Sequence, residues 1–585
     1  MTHVTKILLP ALCFLLLTVF FSLLPDLRRC ALRPEKTSEY RLDRVDAAIM
    51  ALITLLYAAL AFTHLGDRSA PQSFVDLEGK TAEITLDLNG GTASRLMLYT
   101  GVGIGSYEIE YTTDGVDRYA LATVQQSHAD VLKWHDVDID YYITGGTICV
   151  TGKGNVWLGE LVALSEEGER IPVESATEPA LTDEQALCPA KQDFLNSSYF
   201  DEIYHARTAW EHLHGVNPYE ITHPPLGKIL IGLGVSLFGM TPFGWRFTGT
   251  LFGVLMLPIL YIFAKKLFGG KTVPTACTLL MASDFMHFVQ TRIATIDTYA
   301  VFFILLMTLF MYLFVTEGRL RDLALCGVCF GLGAASKWTC LYAGAGLAFI
   351  WAIWVIDGIQ KKTLNARGFV KNVLFCVVFF VLVPALIYYL SYLPYGIARG
   401  KTNLFSAEYL RIVLDNQSYM FKYHSGLVAT HPYSSYWYQW LLDIRPILYY
   451  LDYLPDGRHI SFGAFVNPVL CWGGLLSLFV LVFLLFVRRD RRAGYILLCY
   501  LAQLLPWVLV PRLTFAYHYF PCTPFLALSL GECFQILRLD SARGRWAVGG
   551  FILLSLLVFA LFYPNLAGFP VAANGLRSWL PTWPF

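Results

Sequence analysis

NVLFCVVFFVLVPALIYYLSYL, residues 372–393, runs for its whole length without one Asp, Glu, Lys or Arg. A helix that crosses the ~30 Å hydrocarbon layer of a bilayer needs about 17–25 apolar residues, so this stretch is long enough to span a membrane. The sequence predicts a polytopic α-helical membrane protein with about twelve transmembrane helices. The apolar runs lie at residues 6–24, 47–64, 245–264, 273–290, 297–315, 322–336, 339–357, 372–393, 467–487, 493–511, 515–535 and 547–563.

The composition of the whole chain agrees with this prediction. Its 585 residues are 56% hydrophobic and 15% charged, and their mean hydropathy is +0.50. Soluble domains carry about 25% charged residues, so a soluble protein is excluded. The net charge is zero, and because no soluble segment holds a basic patch, nucleic-acid binding is excluded as well.

The basic residues predict the orientation in the membrane, because short cytoplasmic loops carry an excess of Lys and Arg. Alternate connections are rich in these residues, so the intervening ones, 65–240, 394–466 and the tail from 564, are predicted to be extracytoplasmic. We expect a multi-pass protein of the cell membrane, with its first apolar run retained as a helix because an Arg-rich stretch follows it. The inner basic residues are Arg28, Arg29, Arg33, Lys265, Lys266, Lys271, Arg319, Arg321, Lys361, Lys362, Lys371, Arg488, Arg489, Arg491, Arg492, Arg538, Arg543 and Arg545.

Residues 67–178 have a different texture, with short alternating runs separated by Gly, Asn and Asp. TAEITLDLNGG, SRLMLYTG, SYEIEYTTDG and VWLGELVAL are typical strands, and together they predict a small β-sandwich. Trp134, His135 and Trp157 are candidates for stacking on a sugar ring, although the two tryptophans are favoured as core residues. Cys149 and Cys188 either form one disulfide or stay free.

FDEIYHARTAWEHLHGVNPYEITHPPLGK, residues 200–228, places two adjacent acids beside the apolar runs on the predicted outer face. Neighbouring side chains on a helix point about 100° apart. Asp201 and Glu202 are therefore expected to have different roles.

Four further segments accompany the stretch 200–228: SDFMHFVQTRIATID at 283–297, ASKW at 335–338, HPYSSYWYQW at 431–440 and LPWVLVPRLTFAYHYFPCTPF at 505–525. Together the five segments resemble the bacterial-type protein O-mannosyltransferases of the GT-C superfamily, membrane enzymes that move mannose from a polyprenyl phosphate carrier to Ser or Thr hydroxyls. The resemblance implies a GT-C fold, polyprenyl-phosphate-mannose as donor, exported proteins as acceptors, and catalysis at the extracytoplasmic face. Residues 67–178 resemble the galactose-binding-like, or discoidin-type, sandwiches of carbohydrate-binding modules. Such folds bind sugars, other ligands or nothing, so the resemblance leaves glycan binding by this domain open.

The resemblance also implies site roles. Asp201 matches the general base of an inverting transfer, and Glu202 is the second catalytic acid, which positions the acceptor or balances an Arg such as Arg207. Because a departing phosphate requires cations, the donor phosphate is expected to be bound by a wider set. Arg512 leads this set, since no acid is close to it in sequence. The set is His223, Arg246, Arg292, Lys337 and Arg512.

Other interpretations of several of these residues stay open. Arg246 can extend to lipid headgroups, His223 can cap a helix entry, and Asp284, Arg292 and Asp297 can pair across the turn 291–296. The aromatic loop 394–466 is typical of an interfacial belt. Within it, His431 and Tyr433 are expected to bind substrate, because HPYSSYW matches a motif of the family.

The sequence predicts no protein-bound cofactor and no metal site, and it leaves a dependence on divalent metal open. Glu211, His212 and His214 are interpreted as a hydrated helix end. A transferase of the same superfamily that acts on a lipid or a cell-envelope glycan is an alternative. A sugar transporter is disfavoured, because the charges gather at one face and no internal repeat is visible.

The predicted organisation has six parts. These are two transmembrane helices in 1–66, the β-sandwich in 67–178, an outer catalytic loop in 179–244, transmembrane helices in 245–393, an outer aromatic-rich loop in 394–466, and four more helices with an external tail in 467–585.

Overall fold

The computed structural model describes residues 40–86, 92–175, 177–537, 539, 541–572 and 575–584. The chain divides into two compact units. The helical unit comprises Met1–Thr63, Glu220–Ile229 and Gly249–Phe585, and the sheet unit comprises His64–Tyr219 and Leu230–Thr248.

Within the described residues, eight helices have the length and apolar composition that a membrane crossing requires. This confirms the prediction of a polytopic helical membrane protein, although twelve spans are not all observed. The predicted run 6–24 lies outside the described residues. The eight helices are Arg44–Phe62, Pro242–Phe268, Asp297–Glu317, Cys340–Gln360, Ala366–Ala398, Pro468–Arg488, Arg491–Leu509 and Ala542–Leu566.

Three other predicted runs form shorter helices. Run 273–290 is split into Thr272–Ala282 and Phe285–Thr291, because the Asp284 carboxylate accepts a hydrogen bond from His287 N (3.1 Å) and starts a second helix. Run 322–336 is the helix Leu320–Ser336. Run 515–535 consists of the 3₁₀ turn Ala516–Cys522 and the helix Thr523–Ile536.

The connections hold further elements. Three further helices lie at Leu226–Phe238, Ala407–Gly426 and Trp437–Trp440. A small antiparallel sheet, called the loop sheet below, joins Ile447–Tyr453, Arg458–Ala464 and Val571–Ala572 in the helical unit, with the middle strand at its centre.

The sheet unit is built on eight antiparallel strands, followed by the helix Glu202–Leu213. Their main path runs in the order β4-β3-β6-β2-β8. The inserted antiparallel domain that the sequence predicts is therefore confirmed. The strands are β1 Val75–Asp76, β2 Thr81–Leu86, β3 Ala93–Thr112, β4 Tyr119–Gln126, β5 Lys133–Ile143, β6 Gly146–Leu164, β7 Arg170–Ile171 and β8 Val173–Ser175.

Strand β3 is longer than the sequence predicts, because SRLMLYTG and SYEIEYTTDG join into one strand. The similarly long strand β6 pairs with both parts of it. Their pairing register shifts between Thr100 and Gly103. Gly103 has a φ of +108°, and a Cβ at this position would lie 1.9 Å from Asn155 O. Only glycine permits this irregular turn, which keeps the two halves in one strand.

The core of the sheet unit contains Trp134, which is 1% exposed and packs against Tyr99 and Cys188. Trp157 is half-buried and stands edge-on to Trp210, with ring centroids 5.5 Å apart. The core interpretation of Trp134 therefore holds. Cys149 and Cys188 are both free thiols, so the disulfide alternative is wrong.

Candidate functional site

The two adjacent acids stand at the start of the helix Glu202–Leu213 in the sheet unit. Asp201 occupies the position before the first helical residue and is half-buried, whereas Glu202 is fully buried. Phe200, just before them, has a φ of +47°, a conformation that is rare for residues with a side chain and recurs at functional turns. The two acids therefore differ in environment, as their spacing predicts.

Glu202 forms a two-pronged ion pair with Arg246. The Arg246 Nε donates to Glu202 Oε1 (2.7 Å) and its Nη2 to Oε2 (2.8 Å), and both side chains are 0% exposed. Arg246 also donates to Leu65 O (2.9 Å) and Ser197 O (3.1 Å). Because the guanidinium donates its hydrogen bonds to Glu202 and to these two main-chain carbonyls, the geometry favours a structural role for Arg246 over phosphate binding.

Arg207 is not the cation that balances Glu202, because it pairs with Glu211 at 2.7 Å. Glu211 also accepts hydrogen bonds from Thr208 Oγ1 (3.0 Å) and Tyr219 N (2.7 Å). His214 stacks on Trp210 at 4.2 Å. The carboxylate of Glu211 is thus engaged within the sheet unit.

Another group of carboxylates, which the sequence analysis did not single out, lies elsewhere in the sheet unit. One ligand atom each of Glu160, Asp183 and Glu184 lies within 4.8 Å of the others. Burial raises the pKa of Glu160 to about 8, so this carboxyl is largely protonated at neutral pH. Among the described residues, no other three ligand atoms of His, Cys, Asp or Glu lie this close together.

In the helical unit, Glu220 organises the EITHPPLGK turn. Its carboxylate accepts hydrogen bonds from Lys228 Nζ and Thr222 N (2.8 Å), and it lies 3.1 Å from His223 Nδ1. Lys228 Nζ also donates to His223 O (2.9 Å). A Cβ at Gly227 would lie 2.6 Å from Ile296 Cγ2, so glycine lets this turn pack directly against the residue before Asp297.

Two histidines meet beside this turn. The rings of His223 and His424 lie 5.1 Å apart in an edge-on arrangement. His424 Nε2 donates to Thr222 O (2.8 Å), and among the described residues its buried Nδ1 has no hydrogen-bond partner. Burial, followed by the nearby His223 and Arg512, lowers the pKa of His424 to about 4, so this ring is neutral at pH 7.

Two cations face the same histidines. Lys337 Nζ donates to Asp297 Oδ1 (2.7 Å) and lies 5.6 Å from the centre of the Tyr517 ring. Arg512 is half-buried and, within the described part of the chain, it forms no ion pair. Both contribute to the lowered pKa of His424. We call His223, Lys337, His424 and Arg512 the cation cluster.

Arg292 has a different environment. It donates to Ala61 O (3.0 Å), Thr63 O (2.9 Å) and Leu566 O (3.0 Å), main-chain carbonyls at the ends of two helices. A cation there is favourable, because helix C-termini carry unpaired carbonyls and partial negative charge. Asp297 forms its ion pair with Lys337, and not with Arg292 across the turn 291–296.

His431 and Tyr433 lie in a loop joined to the segment that carries Arg512. Ser435 N donates to Thr514 O (2.9 Å), and Thr514 Oγ1 donates to Ser435 O (2.7 Å). The His431 ring stands edge-on to Phe515 at 5.0 Å, and its Nδ1 accepts from Tyr433 N (3.2 Å). Two segments quoted for the resemblance therefore meet in the helical unit.

The structure places the sequence-predicted residues in two groups. Asp201, Glu202 and Arg246 lie in the sheet unit, and the others lie in the helical unit, where Arg292 serves helix ends. The sequence analysis missed Glu220 and gave no specific role to His424. The spacing of Glu220 three residues before His223 was the available signal, whereas nothing local linked His424 to Thr222.

Two family models match the chain from residue 222 to residue 583. A model described as dolichyl-phosphate-mannose-protein mannosyltransferase matches residues 222–388. A second, described as the C-terminal four TMM region of protein-O-mannosyltransferase, matches residues 409–583. Together they match more than half of the chain.

Curated relatives and a solved structure are similar over about two thirds of the chain. The polyprenol-phosphate-mannose–protein mannosyltransferase of Mycolicibacterium smegmatis is 28% identical over 454 residues, 66% of this chain and 87% of the relative. The Corynebacterium glutamicum protein of the same name is 26% identical, covering 66% and 88%. The S. cerevisiae protein O-mannosyltransferase Pmt1-Pmt2 complex bound to the sugar donor aligns with a TM-score of 0.59 at 14% identity, covering 66% of this chain and 89% of the other.

Proposed function

Since the chain belongs to the dolichyl-phosphate-mannose-protein mannosyltransferase family, we propose that it transfers mannose from polyprenyl-phosphate-mannose to Ser or Thr hydroxyls of exported proteins. The relatives from M. smegmatis and C. glutamicum carry that donor and a protein acceptor in their names. The reaction takes place at the extracytoplasmic face of the cell membrane, the side that the distribution of Lys and Arg assigns to residues 65–240 and 394–466.

The observation that carries the proposal is the cation cluster. It joins four segments that are far apart in sequence: the EITHPPLGK turn, ASKW, the helix Ala407–Gly426 and the stretch around Arg512. Lys337 is balanced by Asp297, whereas Arg512 has no acid partner in the described chain. Such a cluster has the charge to hold the phosphate of a lipid-linked sugar and to stabilise it as a leaving group.

In the proposed reaction, the acceptor hydroxyl oxygen attacks C1 of mannose, and the proton of that hydroxyl passes to the carboxylate of Asp201. The bond between C1 and the phosphate oxygen breaks, and its electron pair leaves with the polyprenyl phosphate. Attack from the side opposite the phosphate inverts the configuration at C1. Arg512 and Lys337 hold the phosphate, and His223 positions it from the EITHPPLGK turn.

Glu202 has a positioning role in this mechanism. Its two hydrogen bonds to Arg246 fix the first turn of the helix that follows Asp201. Movement of this turn would displace the base, and displacements of about 1 Å can lower the rate of catalysis by two orders of magnitude. Glu202 therefore acts through Asp201. Arg292 holds helix ends together, and His431 with Tyr433 lines the side from which the acceptor enters.

The test uses the purified full-length protein in lipid nanodiscs, with polyprenyl-phosphate-mannose and a Ser/Thr-rich peptide. Mass spectrometry is expected to find one added hexose on a hydroxyl residue of the peptide. A lipid or polysaccharide that gains hexose while the peptide gains none would replace the protein acceptor by the alternative of the same superfamily. Absence of transfer to any of these acceptors would contradict the proposed activity.

A further inference from the structure

A cavity of about 520 Å³ lies in the helical unit, and the proposed transfer step itself does not use it. Its walls come from the loop sheet, from the end of the helix Ala542–Leu566 and from the C-terminal tail. Pockets of about 300–1,000 Å³ with a few convergent polar groups are typical of small-ligand sites. The lining residues that bear on its ligand are Tyr433, Tyr453, His459, Asn565 and Arg577.

One wall is a row of side chains across the loop sheet. His459 pairs with Tyr453 on one side and with Val571 on the other. Residues that face each other in neighbouring strands point to the same side of a sheet. Tyr453 is 73% exposed, whereas His459 is 8% exposed, so an aromatic ring stands at the opening and an imidazole lies at the base.

Two buried polar atoms of the cavity walls have no hydrogen-bond partner among the described residues, His459 Nδ1 and Asn565 Oδ1. The amide of Asn565 is fixed, because its Nδ2 donates to Ser461 O (3.2 Å) and Ser461 Oγ (3.1 Å). Its Oδ1 is therefore the open atom and is an acceptor. Burial lowers the pKa of His459, so the ring is neutral at pH 7. A buried polar atom left unpaired is unfavourable, and a ligand that pairs with it removes that cost.

The remaining lining adds donors and no acid. Arg577 Nε donates to Leu561 O (2.8 Å), and the lining residues that the structure describes include no Asp or Glu. A lipid chain would leave the open atoms unpaired, and a bare anion would be repelled by the acceptor oxygen of Asn565. A peptide strand would need a long free sheet edge, but the third strand, Val571–Ala572, is two residues long. Sugar hydroxyls both donate and accept, and a sugar face packs on an aromatic ring.

We propose that this cavity binds a hexose unit of a saccharide carried by the acceptor, held by hydroxyl contacts to His459, Asn565 and Arg577, with Tyr453 against the ring face. The inference rests on the proposed function, because it deepens the recognition of the acceptor. Tyr433 links the cavity to the cation cluster, since it follows His431, which contacts Phe515 in the segment of Arg512.

The experiment measures the binding of mannobiose to the full-length protein in nanodiscs, by saturation-transfer NMR and by titration. The variants are Tyr453→Ala and His459→Gln. The matched control is Tyr436→Ala, which removes a 64% exposed aromatic ring of the same connection that does not line the cavity. Tyr453→Ala is expected to weaken binding about tenfold, and the control is expected to bind like the unaltered protein. Transfer to an unglycosylated peptide should be retained in all three variants.

Several results would overturn the proposal. Mannobiose that does not bind, or that binds equally to Tyr453→Ala and to the control, would remove the saccharide site. Displacement of mannobiose by inorganic phosphate would assign the cavity to an anion. Binding of the unglycosylated peptide that Tyr453→Ala abolishes would assign it to polypeptide. In any of these cases, retained mannose transfer to the peptide would leave the proposed activity intact. If neither mannobiose binding nor transfer to the peptide were found, the proposed activity would be contradicted as well.

Discussion

Arg246 in the sheet unit and Arg512 in the helical unit carry the same group in opposite surroundings. Arg246 is 0% exposed and donates two hydrogen bonds to Glu202. Arg512 is half-buried and has no carboxylate partner in the described chain. Removal of one partner from a buried ion pair is strongly destabilising, whereas an unpaired cation is available to an anionic ligand. Partners, rather than residue type, distinguish scaffold from candidate site here.

The largest effect is expected for Asp201→Asn, which keeps the shape of the side chain and removes the proposed base. General-base catalysis contributes about 10²–10⁴-fold, so kcat for mannose transfer should fall by that factor. Binding of polyprenyl-phosphate-mannose should not change. Asp117→Asn is the control, because Asp117 is an exposed carboxylate of the same unit. Turnover by Asp201→Asn equal to that of the control would remove Asp201 from the mechanism.

The Glu202–Arg246 pair tests the scaffold side of the comparison. Glu202→Gln leaves the Arg246 charge buried without its partner and is expected to cost about 3–5 kcal/mol of folding stability. Replacement of both residues by Met should be less destabilising than the single change. Thermal unfolding of the purified protein measures the order of the three variants.

Arg118→Met provides the control for that series, because Arg118 pairs with Glu110 at a surface where both side chains are about one third exposed. Exposed ion pairs contribute about 0–1 kcal/mol, so this variant should unfold close to the unaltered protein. If Glu202→Gln were as stable as Arg118→Met, the buried pair would not be a scaffold.

Arg512→Ala tests the ligand side of the comparison. Hydrogen bonds to charged groups contribute about 1.5–3 kcal/mol, so titration with polyprenyl phosphate should show about 10–100-fold weaker binding. The melting temperature should not change, since no ion pair within the described chain is lost. Arg399→Ala, at an exposed cation stacked on Tyr395, is the control. An equal loss of affinity in both variants would indicate general attraction to the lipid surface.

Sequence patterns predicted the membrane fold and the strands because both depend on local periodicity. The run 372–393 contains enough apolar residues for a span by itself. The break at Asp284 was not predicted, because the apolar pattern continues through it and the deciding bond joins its carboxylate to His287 N. Likewise, the sequence pattern predicted two strands separated by glycines where the structure has the single strand β3. Its pairing with β6 continues across these glycines, past Asn155 and its neighbours.

Candidate residues were found by type and motif, but their partners were not. Glu202 was expected to balance an Arg, and Arg207 lay nearest in the chain, yet the partner is Arg246. The role of His424 depends on Thr222, which is 202 residues away. Such pairings follow from tertiary packing between residues that are far apart in the chain, and they leave no signal in the local spacing of residues.

The smallest effect concerns the pH dependence of the cation cluster through His424. Its pKa in the folded protein is about 4, below the ordinary value of about 6.5 for an unfolded chain. Between these two values the unfolded chain binds the proton and the folded chain does not, so stability is lost as the pH falls from about 6.5 towards 4. His223, Lys337 and Arg512 face the ring and oppose a further positive charge.

His424→Gln should reduce the loss of stability between pH 7 and pH 5 by about 1–2 kcal/mol, since the partial exposure of the ring makes the effect smaller than the full pKa shift implies. The free energy of unfolding measured at pH 7 and at pH 5 checks this prediction, and His128→Gln, at an exposed histidine, is the control. If both variants lost the same stability between these two pH values, His424 would not oppose protonation of the cluster.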